Sequence, residues 1–323
     1  MQALAGVGRV ALSSHPGTYT TLKHTGIRRS EDLEKWLEFR RKHVTASDAA
    51  AIMGVSPFAT PLAIWMEKTG RKQSKDQEDR AHLDWGNRLE RVACEWVSDE
   101  CGVQVGPSDE IFVSERHDWL SCTPDGFFGP GHEGPIEGYL EVKCPSAWSK
   151  DQWQHGMPEH YMIQCQLGME ITGLKHGIMA AVIQPRLYWG RIEHDERIVA
   201  RILDACYVFW TEHVQKDIPP EVTGASKEAG FIKELHPKDS GKVVALNEED
   251  LAATRRLAYI DQITAPLLTE QKELKNIIKM NIGSASYGVL PDGGVWSWTC
   301  DSRGARRLTQ VKAVPNLRER PEG

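Results

Sequence analysis

The six residues Tyr139-Leu140-Glu141-Val142-Lys143-Cys144 alternate in a way that only a strand can use. At a period of two, Tyr139, Glu141 and Lys143 share one face while Leu140, Val142 and Cys144 share the other, so an acid and an amine stand together over an apolar backing. A short loop upstream, Thr123-Pro124-Asp125-Gly126 supplies a second carboxylate, and the two segments together read as one small hairpin. Hydrolysis of a phosphodiester needs oxygen ligands for Mg²⁺, a water in line with phosphorus and positive charge for the phosphoryl oxygens; Asp125, Glu141 and Lys143 are side chains of the required kinds. The same short pattern also arises on an edge hairpin with a solvated polar face, so the remaining segments decide between the two.

At 323 residues the chain suits one compact domain of about 200 residues with an appendage. Its 40% hydrophobic content, with 11 Trp, is enough for a core, and no run is apolar enough for a transmembrane span. Met1 to Val10 lacks the layout of a secretory signal, which leads us to expect a cytoplasmic protein. The seven cysteines, with no Cys-x-x-Cys pair, fit reduced thiols better than a disulfide frame or a zinc site, and the histidines form no ligand spacing. The net charge of −6 excludes a generic nucleic-acid coat but leaves room for a local basic groove. Candidate basic clusters are Arg28-Arg29, Arg40-Arg41-Lys42, and Arg303, Arg306, Arg307 and Lys312, each of which is by default a solvated surface.

Residues 1–29 mix Gly, Ser, Thr and Pro without periodicity and read as a flexible arm. Ser30 is the expected N-cap of a helix running toward His43, followed by a short helix from Ser47 or Asp48 to Gly54 and another between Thr60-Pro61 and Gly70. Residues 71–80 are polar and read as a loop. From His82 to Glu100, Leu89, Val92, Ala93, Trp96 and Val97 form an amphipathic stripe with Glu90 beside it. Strands follow near Gln104, Ile111, Leu120 and Leu140, then a helix from Tyr161 to Ile171, strands at Ile178–Ile183 and Leu187–Ile192, and a helix from Asp195 to Lys216. The pattern predicts an α/β fold with a central mixed sheet flanked by helices over 30–220. Residues 221–323 then read as an extension with a long helix from Asn247 to Met280 and a hairpin turning at Pro291-Asp292-Gly293-Gly294.

Five segments occur in a fixed order: Phe39 to Asp48, Trp85-Gly86-Asn87-Arg88-Leu89-Glu90, Pro124-Asp125-Gly126, Leu140 to Pro145, and Tyr161-Met162-Ile163-Gln164-Cys165-Gln166. In this order they resemble the YqaJ-type viral recombinases, alkaline exonucleases related to phage lambda exonuclease within the PD-(D/E)xK superfamily. The resemblance covers roughly 30–217 and implies a restriction-endonuclease-like core. It also implies a Mg²⁺-dependent exonuclease, with Mn²⁺ able to substitute, that digests one strand of linear duplex DNA 5′ to 3′ from a 5′-phosphorylated end. The product is a 3′ overhang for a single-strand annealing recombinase, in a phage or prophage setting, and lambda-type relatives work as ring trimers.

Carried over residue by residue, the resemblance implies that Asp125, Glu141 and the Val142 carbonyl bind the metal and that Glu90 completes the acidic cluster directly or through water, for one ion or two. Lys143 orients or helps deprotonate the attacking water. Gln164 holds that water or a phosphate oxygen, with Gln166 the alternative, since residues two apart on a helix do not face the same cleft. Arg40 and Ser47 match the positions that read the terminal 5′-phosphate, although an N-cap role alone also accounts for Ser47. Two rivals stand beside this reading. An iron–sulfur nuclease of the helicase-associated type calls for flanking cysteines, and only Cys300 lies beyond residue 206. A non-catalytic DNA-end-binding protein has no need of the acidic cluster.

Overall fold

The computed structural model describes residues 22–71, 80–131, 134–145, 150–153, 156–183, 186–301 and 304–314. The arm before Leu22, the polar loop at 72–79 and Arg303 lie outside the described residues. The chain forms two compact units, Met1–Asp239 and Ser240–Gly323.

The first unit is built on a five-stranded mixed sheet. Strands β3 (Gln104–Pro107), β6 (Gly126–Gly129), β7 (Gly138–Lys143), β8 (His176–Ile183) and β9 (Arg186–Glu193) lie in that spatial order, with β7 and β8 parallel and the other neighbours antiparallel. Because β7 is central, both of its faces are covered. Leu140 and Val142 join Ile178 and Ala180 against Ala93, Cys94 and Val97 of helix α4 (Arg80–Cys101). Tyr139 belongs to the larger core on the opposite face, with Met179, Ala181 and residues of helix α6 (Glu159–Thr172). Burying a side chain such as Leu140 contributes roughly 1.5–3 kcal/mol, and a one-residue slip would turn every side chain of β7 to the wrong face, so the register that presents Glu141 is firmly set. Gly168 lets α6 lie close on this strand: a Cβ there would stand 2.5 Å from the Tyr139 ring.

A second, four-stranded sheet orders β1 (Lys23–Arg28), β4 (Glu110–Val113), β5 (Leu120–Cys122) and β2 (Val44–Thr45). Strand β1 occupies the end of the segment read as an arm. Its sequence is polar because it is half-exposed, and it is held through Glu110, which accepts from the Gly26 N–H at 2.9 Å and pairs with Arg28 at 3.3 Å. The helix expected to start at Ser30 is α1 (Leu33–Arg41), capped by Asp32, whose Oδ1 accepts from the Lys35 N–H at 2.9 Å. Ser30 lies two residues before this cap, and its own N–H donates to Asp109 Oδ2 at 2.8 Å. After a 3₁₀ turn at Ala46–Asp48 come α2 (Ala49–Ile52) and α3 (Pro61–Lys68).

On α4, Val92 is 53% exposed while Cys94 is buried, so the buried stripe is rotated relative to the one read from sequence and runs through Ala93, Cys94 and Val97. A short helix α5 (Lys150–Trp153) precedes α6, and α7 (Glu196–Val208), capped by Asp195, continues into a π-helical turn at Phe209–Val214. Helix α8 (Glu228–Leu235), in the stretch assigned from sequence to the C-terminal extension, belongs to the first unit, where it buries Phe231 in the main core and packs on α3.

In the second unit, helix α9 (Glu248–Ile282) is followed by an antiparallel meander of β10 (Tyr287–Val289), β11 (Val295–Cys300) and β12 (Arg306–Val311). Strand β12 extends the expected hairpin to three strands. Arg306 stacks on the Trp298 ring at 3.6 Å and donates to the carbonyls of Gly283, Ala285 and Trp298, which makes it a brace of this unit rather than part of a free basic surface. Among the described residues no helix is long and apolar enough to cross a membrane.

Candidate active site

Asp125, Glu141, Val142, Lys143, Glu90, Gln164, Arg40 and Ser47 all line one cavity of about 160 Å³ in the first unit. The elements responsible are distant in sequence. Strand β7 contributes Glu141 to Lys143, the entry to β6 contributes Asp125, α4 contributes Glu90, α6 contributes Gln164, and α1 with the following turn contributes Arg40 and Ser47.

Glu141 is the hub. Its Oε1 accepts from Lys143 Nζ at 2.6 Å and from Gln164 Nε2 at 2.5 Å, and its Oε2 accepts from the Tyr139 hydroxyl at 2.6 Å. The carboxylate is 1% exposed, so it is buried and not on an open cleft wall. Three donors therefore replace water around it, as burial of a charge requires. Lys143 retains 23% side-chain exposure and lies 5.5 Å from the Tyr161 ring centroid. Burial works against its charge, but Glu141 and Asp125 outweigh that and hold its pKa above the ordinary lysine value.

Asp125 accepts the Val142 N–H on Oδ2 at 2.7 Å. Burial, then Glu141 and Glu90, push its carboxyl well above the usual range despite Lys143 and that N–H. In an extended strand the N–H and C=O of one residue point to the same edge, so the Val142 carbonyl faces the edge where β6 has ended and Asp125 begins. Glu90 is held by Arg29, whose Nη2 lies 2.8 Å from Oε2. Arg29 also lines the cavity. Sequence reading placed it only in a basic cluster, and no local signal connects it with an acid 61 positions away.

Asp125, Glu141, Glu90 and the Val142 carbonyl form an all-oxygen donor set, the kind that hard divalent cations take. Among the described residues no three His, Cys, Asp or Glu side chains close on one point; Lys143 engages Glu141 and Arg29 engages Glu90. Asp125 is buried on one cavity with Glu141 and Glu90, whose charges add to burial in raising its carboxyl, and a bound cation offsets that repulsion, so the residues fit Mg²⁺.

At the other wall, Arg40 Nη2 donates to Ser47 Oγ at 3.0 Å and its guanidinium lies 4.5 Å from the Trp36 ring centroid. Ser47 Oγ is also 2.9 Å from Thr45 Oγ1. Behind them, Lys68 Nζ meets Asp48 Oδ2 at 2.7 Å and donates to the Arg40 carbonyl at 3.0 Å, while Asp48 accepts the Thr45 N–H at 2.8 Å. Two more cavity-lining residues, Trp36 and Thr123, have buried side-chain polar atoms with no hydrogen-bond partner among the described residues. Gln166 is elsewhere: it donates to the Glu193 carbonyl at 2.8 Å and accepts from the Asp195 N–H at 2.9 Å, pinning the end of β9 to the start of α7.

The protein YqaJ of Bacillus subtilis (strain 168), described only as uncharacterised, is 26% identical over 263 residues, covering 80% of this chain and 80% of that protein. Among solved structures, an alkaline exonuclease (LHK-Exo) from Laribacter hongkongensis is 23% identical, covering 57% of this chain and 94% of that one, with a TM-score of 0.47. A phage-related exonuclease from Haemophilus somnus 129PT is 13% identical, covering 56% and 99%, with a TM-score of 0.35. In agreement with the five ordered motifs, residues 35–175, which include every cavity residue from Trp36 to Gln164, match the YqaJ-like viral recombinase domain.

Proposed function

We propose that the chain is a Mg²⁺-dependent deoxyribonuclease with a restriction-endonuclease-like PD-(D/E)xK core. In this reading it digests one strand of linear duplex DNA 5′ to 3′ from a 5′-phosphorylated end, and Mn²⁺ can replace Mg²⁺. The observation that carries the proposal is the convergence of an acidic, all-oxygen wall and an Arg-hydroxyl wall on one cavity. Asp125, Glu141 and the Val142 carbonyl hold the ion, with Glu90 completing the cluster. Bound there, Mg²⁺ supplies positive charge to the scissile phosphate and lowers the proton affinity of the attacking water.

The chain's own side chains do the rest. Lys143, 2.6 Å from Glu141, donates to a non-bridging phosphate oxygen and orients or helps deprotonate the attacking water. Tyr139 fixes the Glu141 carboxylate, and Gln164 directs an uncharged amide at the water or phosphate without competing for the ion. Arg40 and Ser47 receive the terminal phosphate dianion. The 3′ overhang so produced is the substrate of a single-strand annealing recombinase, and a closed ring of copies keeps the enzyme on its track without a nucleotide-driven motor.

The test is digestion of duplexes that differ only in 5′-phosphate or 5′-hydroxyl, with wild type and Arg40→Ala. A charge-assisted contact of about 1.5–3 kcal/mol makes the variant roughly ten- to a hundred-fold slower on the phosphorylated end and nearly unchanged on the hydroxyl end. An undiminished phosphate preference in Arg40→Ala removes Arg40 from this role.

A further inference from the structure

Helix α9 has 35 residues and not one of them is buried. Leu257 is 62% exposed, Leu267 63%, Leu274 53% and Ile260 38%, which is a large apolar load to leave in water. These residues are not scattered. With Leu257, Thr264, Gln271 and Ile278 at heptad position a, position d is filled by Ile260, Leu267 and Leu274, giving a seam that is apolar at d over three heptads and polar at the two central a positions.

The flanking positions identify the partner. In a parallel, in-register pair of identical helices, each g residue meets the e residue five positions on in the other helix. Here that matches Arg256 with Asp261, Ile263 with Leu268, Glu270 with Lys275 and Ile277 with Ile282: two opposite-charge pairs and two apolar pairs, with no mismatch. A parallel pair also stacks Thr264 on Thr264 and Gln271 on Gln271, whereas an antiparallel pair with Leu257 against Leu274 sets these two polar side chains against Leu267 and Ile260. Pro266, inside the helix, falls at position c, away from the seam.

We infer that α9 is a parallel, in-register coiled-coil segment and that its partner is α9 of another copy of this chain. The inference is independent of the nuclease reading. It predicts contact between like positions of the seam, which a cysteine reports directly. In full-length protein carrying Cys300→Ser, to remove the exposed native thiol, Leu267→Cys at position d forms a disulfide-linked dimer under mild oxidation, whereas Tyr259→Cys at position c stays unlinked at the same concentration. In sedimentation, Glu270→Lys weakens self-association through α9 roughly three- to tenfold, and adding Lys275→Glu restores it. Equal cross-linking at positions 259 and 267, or an unlinked Leu267→Cys chain, overturns the inference and assigns the seam to the chain's own first unit or to a different protein.

Discussion

Replacing Lys68 with methionine isolates the support behind the Arg40 wall. The Lys68 side chain is fully buried, Asp48 is 6% exposed, and their charged atoms are 2.7 Å apart. Burial raises the Asp48 carboxyl, but Lys68 and Arg40 outweigh it and leave the pKa below the ordinary value, so at neutral pH the group is an ionised, buried acid. Methionine fills similar volume but leaves that charge with only the Thr45 N–H and the more distant Arg40 charge to offset its burial. Removing one partner of a buried pair costs about 3–5 kcal/mol, whereas removing both charges costs much less. Urea unfolding at pH 7 should therefore show a large drop in midpoint for Lys68→Met, at unchanged slope, and a coupling energy above about 2 kcal/mol in the cycle with Asp48→Asn. Since Lys68 also holds the Arg40 carbonyl, and Asp48 holds the turn carrying Ser47, the folded variant should discriminate less between 5′-phosphate and 5′-hydroxyl ends. A loss below about 1 kcal/mol would mean that this pair does not fix the wall.

Glu141→Gln and Lys143→Ala should each abolish nearly all hydrolysis in an end-labelled assay, with Mg²⁺ binding by calorimetry weakened in the first and retained in the second; wild-type rates in either exclude it from the chemistry. Because the folded-state pKa of Asp125 is raised, the folded chain holds a proton that the unfolded chain releases near 3.8, so metal-free stability should fall as pH rises from that value through the raised pKa. Saturating Mg²⁺ should flatten this fall in thermal melts, and a metal-free stability that climbs over the same range contradicts the assignment. Gln164→Ala should lower the turnover rate with little change in melting temperature, while Gln166→Ala, which strips a buried amide bridge, should lower melting temperature first; the reverse pattern exchanges their roles.

Much of the site was legible because its signals are local. Period-two alternation identified the face of β7 that carries Glu141 and Lys143, and two-residue spacing on α6 separated Gln164 from Gln166. What escaped depends on distant partners. Strand β1 is polar and exists through its pairing with β4, Arg29 meets Glu90 only after both sheets have formed, and β6 is four residues bounded by glycines. The α4 stripe was misplaced at Val92 because a buried cysteine packs as a small hydrophobe, so Cys94 rather than Val92 faces the sheet. Glu141 reads as exposed when strand alternation alone is considered; α6 lying against Tyr139 is what buries it.

Metal-dependent cleavage of DNA from an end by this cavity is tested by incubating purified full-length protein with end-labelled linear duplex and with covalently closed circular duplex, each with Mg²⁺ or with excess chelator. Mononucleotides should be released from the linear duplex with Mg²⁺, and from nothing else. Cleavage of the closed circle, or digestion of the linear duplex at an equal rate in chelator, would contradict it.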